Sequence, residues 1–396
     1  MIIASDPLRV LDGASPRSRR RPPAGDPPWR EPGRSLGRGA GALFDRILLK
    51  GLTWLFLSRD PPDFGRGFRA RIEALKERYG RPELLREPER FFRPTRMPAQ
   101  VRVRRLGALA GGTRLVLTFP STYEAFDPDY RATYARYVEN NVNRVLYLRH
   151  HERGRPAVVC LHTWGGGFFP LEEHLLGGHG LYRRGLDVAL LTLPFHGART
   201  PAQARFSGQL FPNRDLRRTN EAFGQSVADL RILSRWLREA QGCGPIGLWG
   251  MSLGGYLTAL MASLDPSLAF AVSIVAPSSF ADVLWHHGPA TSARREAEAA
   301  GFTLQDFRAL WAVHCPLSRP ARLPHDRLLI LWGEGDEIVP AVHALALWEH
   351  WGRPAIRSFP GGHFLQLGRG AVLREAFDWV SARVFPPDSP ATTVGS

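Results

Sequence analysis

Five short runs in this 396-residue chain are apolar almost without interruption: Ala157-Val158-Val159-Cys160-Leu161, Val188-Ala189-Leu190-Leu191-Thr192-Leu193, Ile246-Gly247-Leu248-Trp249, Phe270-Ala271-Val272-Ser273-Ile274-Val275 and Leu328-Leu329-Ile330-Leu331-Trp332. A strand with one face in water alternates apolar and polar residues. A run without that alternation has to be covered on both faces, which is the condition of a parallel sheet flanked by helices. The segments between the runs carry a helical period. Phe223, Val227, Leu230, Ser234 and Leu237 fall on one face before the stop at Gly242, and residues 253–264 form a second helix ended by Asp265-Pro266. Leu373, Phe377, Val380 and Val384 mark a last one. Strands alternating with helices predict an α/β architecture. Val101-Arg102-Val103, residues 115–119 and Val145-Leu146-Tyr147-Leu148 read as antiparallel strands leading in, so the sheet is mixed but mostly parallel, with helices on both faces.

The remaining chain divides by composition. Residues 1–40 are rich in Pro, Gly and Arg without apolar periodicity and are expected to be a disordered tail, as are residues 386–396. Residues 41–99 form a helical extension, and 100–385 the α/β domain. Within the extension, 42–58 is a mostly apolar helix with two readings. It either docks on the body of the protein or lies on a membrane surface as a peripheral contact. Residues 200–221 are polar and irregular. Residues 278–323 are a longer insertion with helical segments, expected to cap the site.

The formal net charge of +15 invites a nucleic-acid partner. However, lysine occurs only at Lys50 and Lys76, so the charge is arginine spread along the chain, and no basic-aromatic nucleic-acid motif is present. No nucleic-acid partner is expected. The three cysteines, Cys160, Cys243 and Cys315, have neither disulfide-framework nor zinc-site spacing. No cofactor and no metal are expected. Without a signal-type apolar segment at the N-terminus or a run long enough to span a bilayer, the expected location is cytoplasmic, with peripheral membrane contact through 42–58 left open.

Chemistry enters at the third apolar run, which continues as Gly250-Met251-Ser252-Leu253-Gly254-Gly255. A Gly-x-Ser-x-Gly turn between strand and helix lifts a hydroxyl clear of the backbone, where it can attack a carbonyl. A Cβ at Gly250 or Gly254 would crowd the chain passing beside the turn. Serine is a weak nucleophile at neutral pH and needs a base, and the base needs an orienting group. Both follow in order. Gly333-Glu334-Gly335-Asp336-Glu337-Ile338-Val339-Pro340 places acids just past the fifth run, where ligands bind in such sheets. Asp336 fits best, with Glu334, Glu337 and Asp282 as rivals. His363, in Pro360-Gly361-Gly362-His363-Phe364, is the base candidate among thirteen histidines. The developing oxyanion needs backbone donors. The N–H of Leu253 is one. The N–H of Trp164 is the other, from the loop His162-Thr163-Trp164-Gly165-Gly166-Gly167, where Thr163 stands at a position often held by glycine.

On these motifs, residues from about 100 to 385 resemble the α/β-hydrolase superfamily. Leu193-Pro194-Phe195-His196-Gly197-Ala198-Arg199-Thr200-Pro201 is similar to a loop of esterase-like branches, with a structural turn near the site as its plainer role. The Leu-rich N-terminal helix together with Gly244-Pro245-Ile246-Gly247 distantly resembles a lipid-deacylating branch. The resemblance implies an α/β-hydrolase fold with a helical cap and a serine hydrolase. In that scheme His363 takes the proton of Ser252, Asp336 holds the imidazole, and an acyl-enzyme formed from a small-molecule or lipid carboxylic ester is hydrolysed by water. Peptidase and acyltransferase chemistry on the same fold stays open. Dehalogenase chemistry is disfavoured, because that variant resembles an elbow with Asp where this chain has Ser252.

Overall fold

The computed structural model describes residues 11, 34–57, 67–213, 215–287 and 292–385. Nine strands are found among them: β1 Arg102–Leu109, β2 Gly112–Pro120, β3 Val142–His150, β4 Ala157–Leu161, β5 Asp187–Leu191, β6 Ile246–Met251, β7 Ala271–Ile274, β8 Leu328–Gly333 and β9 Ala355–Phe359. They join one sheet in the order β1-β2-β3-β5-β4-β6-β7-β8-β9. The pairs from β1 through β3 to β5 are antiparallel and all others are parallel. This is the mixed, mostly parallel α/β sheet expected. Among the described residues, no helix is long and apolar enough to cross a membrane.

The five apolar runs serve two cores at once, because successive side chains of a strand point to opposite faces. In β4, Ala157, Val159 and Leu161 enter one apolar cluster while Val158 and Cys160 enter the other. β8 divides in the same way, Leu328 and Ile330 from Leu329 and Leu331. The helices Leu216–Glu239 and Leu253–Ala262 cover the first face, and Arg369–Val384 covers the second, where Phe377 stacks on Trp249 with ring centroids 5.4 Å apart.

Three features depart from expectation. β9 has no apolar run to announce it. It is an edge strand, its side chains before the buried Phe359 are only partly covered, and Arg357 and Ser358 interrupt it. The helix over residues 223–237 extends back to Leu216, through residues read as irregular, because the Asp215 side chain caps it by accepting from Arg218 N at 2.9 Å. The N-terminal helix begins at Arg34, inside the segment expected to be a disordered tail, and runs to Leu57. Its glycines are poor helix formers, and tertiary contact overrides that weakness. Residue 58, residues 1–10 and 12–33, and the C-terminal tail lie outside the described residues.

The 278–323 insertion contains the helices Phe280–His287, Ser292–Ala299 and Leu304–Trp311. Its far side rests on the extension helix Phe68–Tyr79, through the Phe68–Phe302 edge contact and a 2.7 Å Lys76–Asp306 ion pair. Its first helix reaches the loop after β8, where His287 Nε2 donates to Ile338 O at 2.6 Å.

One buried ion pair locks the ends of β3 and β5 to the helix Leu216–Glu239. Arg199 and Asp229 are both fully buried and meet at 2.9 Å. Arg199 also donates to Asn140 O, Asn143 Oδ1 and Thr192 O, while Asp229 accepts from Ser121 and Asn143. All three guanidinium nitrogens of Arg199 and both carboxylate oxygens of Asp229 are hydrogen-bonded, so removing one charge strands the other. Arg199→Ala is expected to lower the unfolding free energy by about 3–5 kcal/mol, read from urea denaturation.

Candidate active site

Ser252 follows β6 and precedes the helix Leu253–Ala262, with φ 55° and ψ −113°. A side-chain-bearing residue does not adopt that conformation freely, and it persists only where the surroundings impose it. Two backbone hydrogen bonds impose it here: Ser252 N donates to Ile274 O at 2.8 Å, and Gly254 N to His162 O at 3.0 Å. The flanking glycines are required by space. A Cβ on Gly250 would stand 2.1 Å from Gly254 O, and one on Gly254 would stand 2.1 Å from Leu161 O.

The serine hydroxyl meets His363. Ser252 Oγ lies 2.9 Å from His363 Nε2, and His363 Nδ1 lies 2.8 Å from Asp336 Oδ2. The carboxylate can only accept at Nδ1, so Nδ1 carries the proton and Nε2 is left to accept from Ser252. The second Asp336 oxygen accepts from Ile338 N at 2.9 Å and Val339 N at 2.7 Å, which fixes the carboxylate against its own loop. Burial of His363 works against its cationic form, but the Asp336 charge, its hydrogen bond and the more distant Asp45 charge prevail, and the imidazole pKa is raised.

The rival acids sit elsewhere. Asp282 is buried in an ion pair with Arg308 at 2.6 Å and accepts from Ser279. Glu334 accepts from Ser358 at 2.9 Å, and Glu337 pairs with Arg46 at 2.9 Å.

Leu253 opens its helix, so its N–H has no acceptor within that helix and lies beside the serine. The loop after β4, which carries Trp164, is braced from three sides. His162 accepts from Leu193 N at 3.0 Å through Nε2 and donates from Nδ1 to Thr163 O at 2.7 Å. Burial keeps it neutral, with its pKa lowered to about 4. The Trp164 indole donates to Gly208 O at 2.8 Å, and Ser207 Oγ donates to Gly166 O at 2.5 Å. Glu172, its pKa raised to about 7 by burial, accepts from Gly167 N at 3.1 Å. The segment 193–208 thus acts as the structural support of this loop.

One residue at the site was not foreseen. Asp45, from the N-terminal helix, is fully buried against the His363 loop and accepts from His363 N at 2.7 Å. A single acid in an apolar helix carries no motif. The only trace in the sequence is the spacing Gly37, Gly41, Asp45.

Residues 131–289 match the model of the family described as alpha/beta hydrolase domain containing 18. That stretch holds Trp164, Ser252 and Leu253 and ends before Asp336. Over 335 residues the chain is 31% identical to Uncharacterized protein Rv2627c of Mycobacterium tuberculosis, covering 83% of this chain and 78% of that protein. The chain belongs to the α/β-hydrolase superfamily. A shorter match, 27% identical over 92 residues, is to Uncharacterized protein YdjC of Bacillus subtilis, covering 23% of this chain and 79% of that one. Among solved structures, acetyl xylan esterase 1 from Thermoanaerobacterium sp. JW/SL YS485 superposes with a TM-score of 0.52 at 17% identity, over 78% of this chain and 97% of that chain. At that identity the likeness is one of fold.

The raised pKa of His363 has a definite sign in stability. The native state holds this proton more tightly than the unfolded chain does. The contribution is therefore fully present below the ordinary imidazole pKa of about 6.5 and is lost as pH rises through the native value. NMR titration of His363 is expected to place its midpoint above that ordinary value in the native protein. In Asp336→Asn the midpoint should fall below the wild-type one, because burial remains while the main opposing charge is gone.

Proposed function

We propose that this protein is a serine hydrolase of carboxylic esters. The observation that carries this reading is the unbroken hydrogen-bond chain from Ser252 through His363 to Asp336, built on a strained turn at the C-terminal end of the parallel strands. In the proposed reaction, His363 Nε2 takes the Ser252 proton as Oγ bonds to the ester carbonyl carbon. Negative charge builds on the carbonyl oxygen, facing the backbone N–H groups of Leu253 and Trp164. The imidazolium returns the proton to the leaving alkoxide, the carbon–oxygen bond breaks, and an acyl-Ser252 ester remains. Water, deprotonated by His363, attacks that ester, and the imidazolium returns the proton to Ser252 Oγ as the acyl carbon–Oγ bond breaks, releasing the acid and free Ser252.

A second reading, a lipid acyl hydrolase at a membrane surface, is favoured by one observation. Leu36, Leu43 and Ile47 lie along one side of the N-terminal helix and are 77%, 60% and 61% exposed, while its opposite side is docked on the protein. An apolar stripe facing water beside arginines suits an interfacial helix.

Fluorophosphonate is expected to label Ser252 in the wild type and nothing in Ser252→Ala. Turnover across an ester chain-length panel should fall on the order of 10⁴-fold or more in that variant. Well-folded wild type that neither labels nor turns over any ester would remove the reading. For the lipid reading, Leu43→Asp with Ile47→Asp should abolish flotation with anionic liposomes while turnover of a soluble short-chain ester is retained. Unchanged flotation would count against it.

A further inference from the structure

The N-terminal helix touches the protein where the acid and base loops meet. Gly37, Gly41 and Asp45 are four residues apart and share one side of the helix. A Cβ on Gly41 would stand 2.3 Å from Gly362 N, and one on Gly37 would stand 3.1 Å from Pro360 Cβ. From the other side, a Cβ on Gly335 would stand 2.5 Å from Arg38 O. The helix therefore lies backbone against backbone on both loops at Gly41 and Gly335, while Gly37 packs against the Pro360 side chain.

Asp45 is placed at the centre of that contact. Its Oδ2 accepts from His363 N at 2.7 Å and from Glu337 N at 3.2 Å, and its Oδ1 accepts from Phe364 N at 3.1 Å. One carboxylate thus joins the residue after Asp336 to the backbone of His363, two loops that follow different strands. Burial raises the pKa of Asp45, and its backbone hydrogen bonds do not fully offset that effect.

We propose that Asp45 is a positioning residue for the Ser252–His363–Asp336 relay, setting the spacing of the two loops and placing a second negative charge behind the imidazole. The proposal rests on the hydrolase reading above. The ionisable groups facing the contact are His363, Asp336 and Glu337, the last already paired with Arg46. The reactive form of His363 is the neutral imidazole, which becomes a cation as it takes the Ser252 proton, so the second carboxylate acts on kcat more than on KM. By the same arrangement, the N-terminal helix is part of the active site.

The test compares Asp45→Ala, Asp45→Asn and Gly41→Ala in the full chain with wild type, by ester kinetics, fluorophosphonate labelling, Tm and NMR titration of His363. Asp45→Ala is expected to lower kcat about 10- to 100-fold with KM little changed, the scale of a small misplacement of reacting groups. Losing the charge should also move the acid limb of kcat/KM, and the His363 midpoint, to lower pH. Asp45→Asn should recover part of the rate and keep the pH shift. Gly41→Ala retains the carboxylate but lifts the helix, so its rate should fall as well. Wild-type rates and an unmoved His363 midpoint in folded Asp45→Ala would overturn the proposal, as would rate losses that follow Tm alone. If wild type were inert to every ester and to fluorophosphonate, the hydrolase reading would fall. The His363 titration would still decide on Asp45, a lower midpoint in Asp45→Asn supporting its placement and an unchanged one refuting it.

Discussion

Strand β4 is paired on one edge with β5 and on the other with β6, and the rest of the site depends on that arrangement. The chain leaves β4 toward one side of the sheet and returns to build the other side. The loops after β4 and β6 therefore part above the strand ends and leave a crevice between them. The Gly254 N–His162 O hydrogen bond closes the base of this crevice and holds the serine turn to the loop that carries Trp164. The loops that carry Asp336 and His363, after β8 and β9, reach the same crevice from the far edge, because parallel strands all end on one side.

Buried carboxylates fasten the parts that sheet pairing cannot reach. Glu221 accepts from Tyr79 and Tyr123 hydroxyls and from the Phe126 and Asp127 amides, tying the extension and the loop after β2 to the helix Leu216–Glu239. Asp229 does the same for the ends of β3 and β5 through Arg199, and Asp45 for the two loops behind His363. Each is surrounded by several donors, which is the condition for keeping a charge out of water. The extension is thereby joined to the α/β domain by directional contacts as well as by apolar ones.

The parts of this molecule legible in the sequence are those that obey a local rule. Residues 157–161 had to be a strand covered on both faces because no polar residue breaks the run. Gly250 and Gly254 marked a turn without room for a Cβ. Asp336 and His363 stood out through their order after Ser252 and their glycine-rich loops. β9 was hidden because an edge strand needs no continuous apolar run, and the helical start at Arg34 was hidden because Gly37, Gly39 and Gly41 argue locally against a helix. Asp45 was hidden because its partners are backbone amides some three hundred residues away, which leave no pattern around it.

By itself the sequence determined the mostly parallel sheet, the strained turn at Ser252 and the order Ser252, Asp336, His363 along the chain, because periodicity, glycine sterics and chain order are local properties. Only the tertiary structure decided which acid meets His363, which tautomer that histidine holds and which helix lies behind it. Those outcomes depend on distances between loops far apart in the chain and on how burial balances charge where the loops meet.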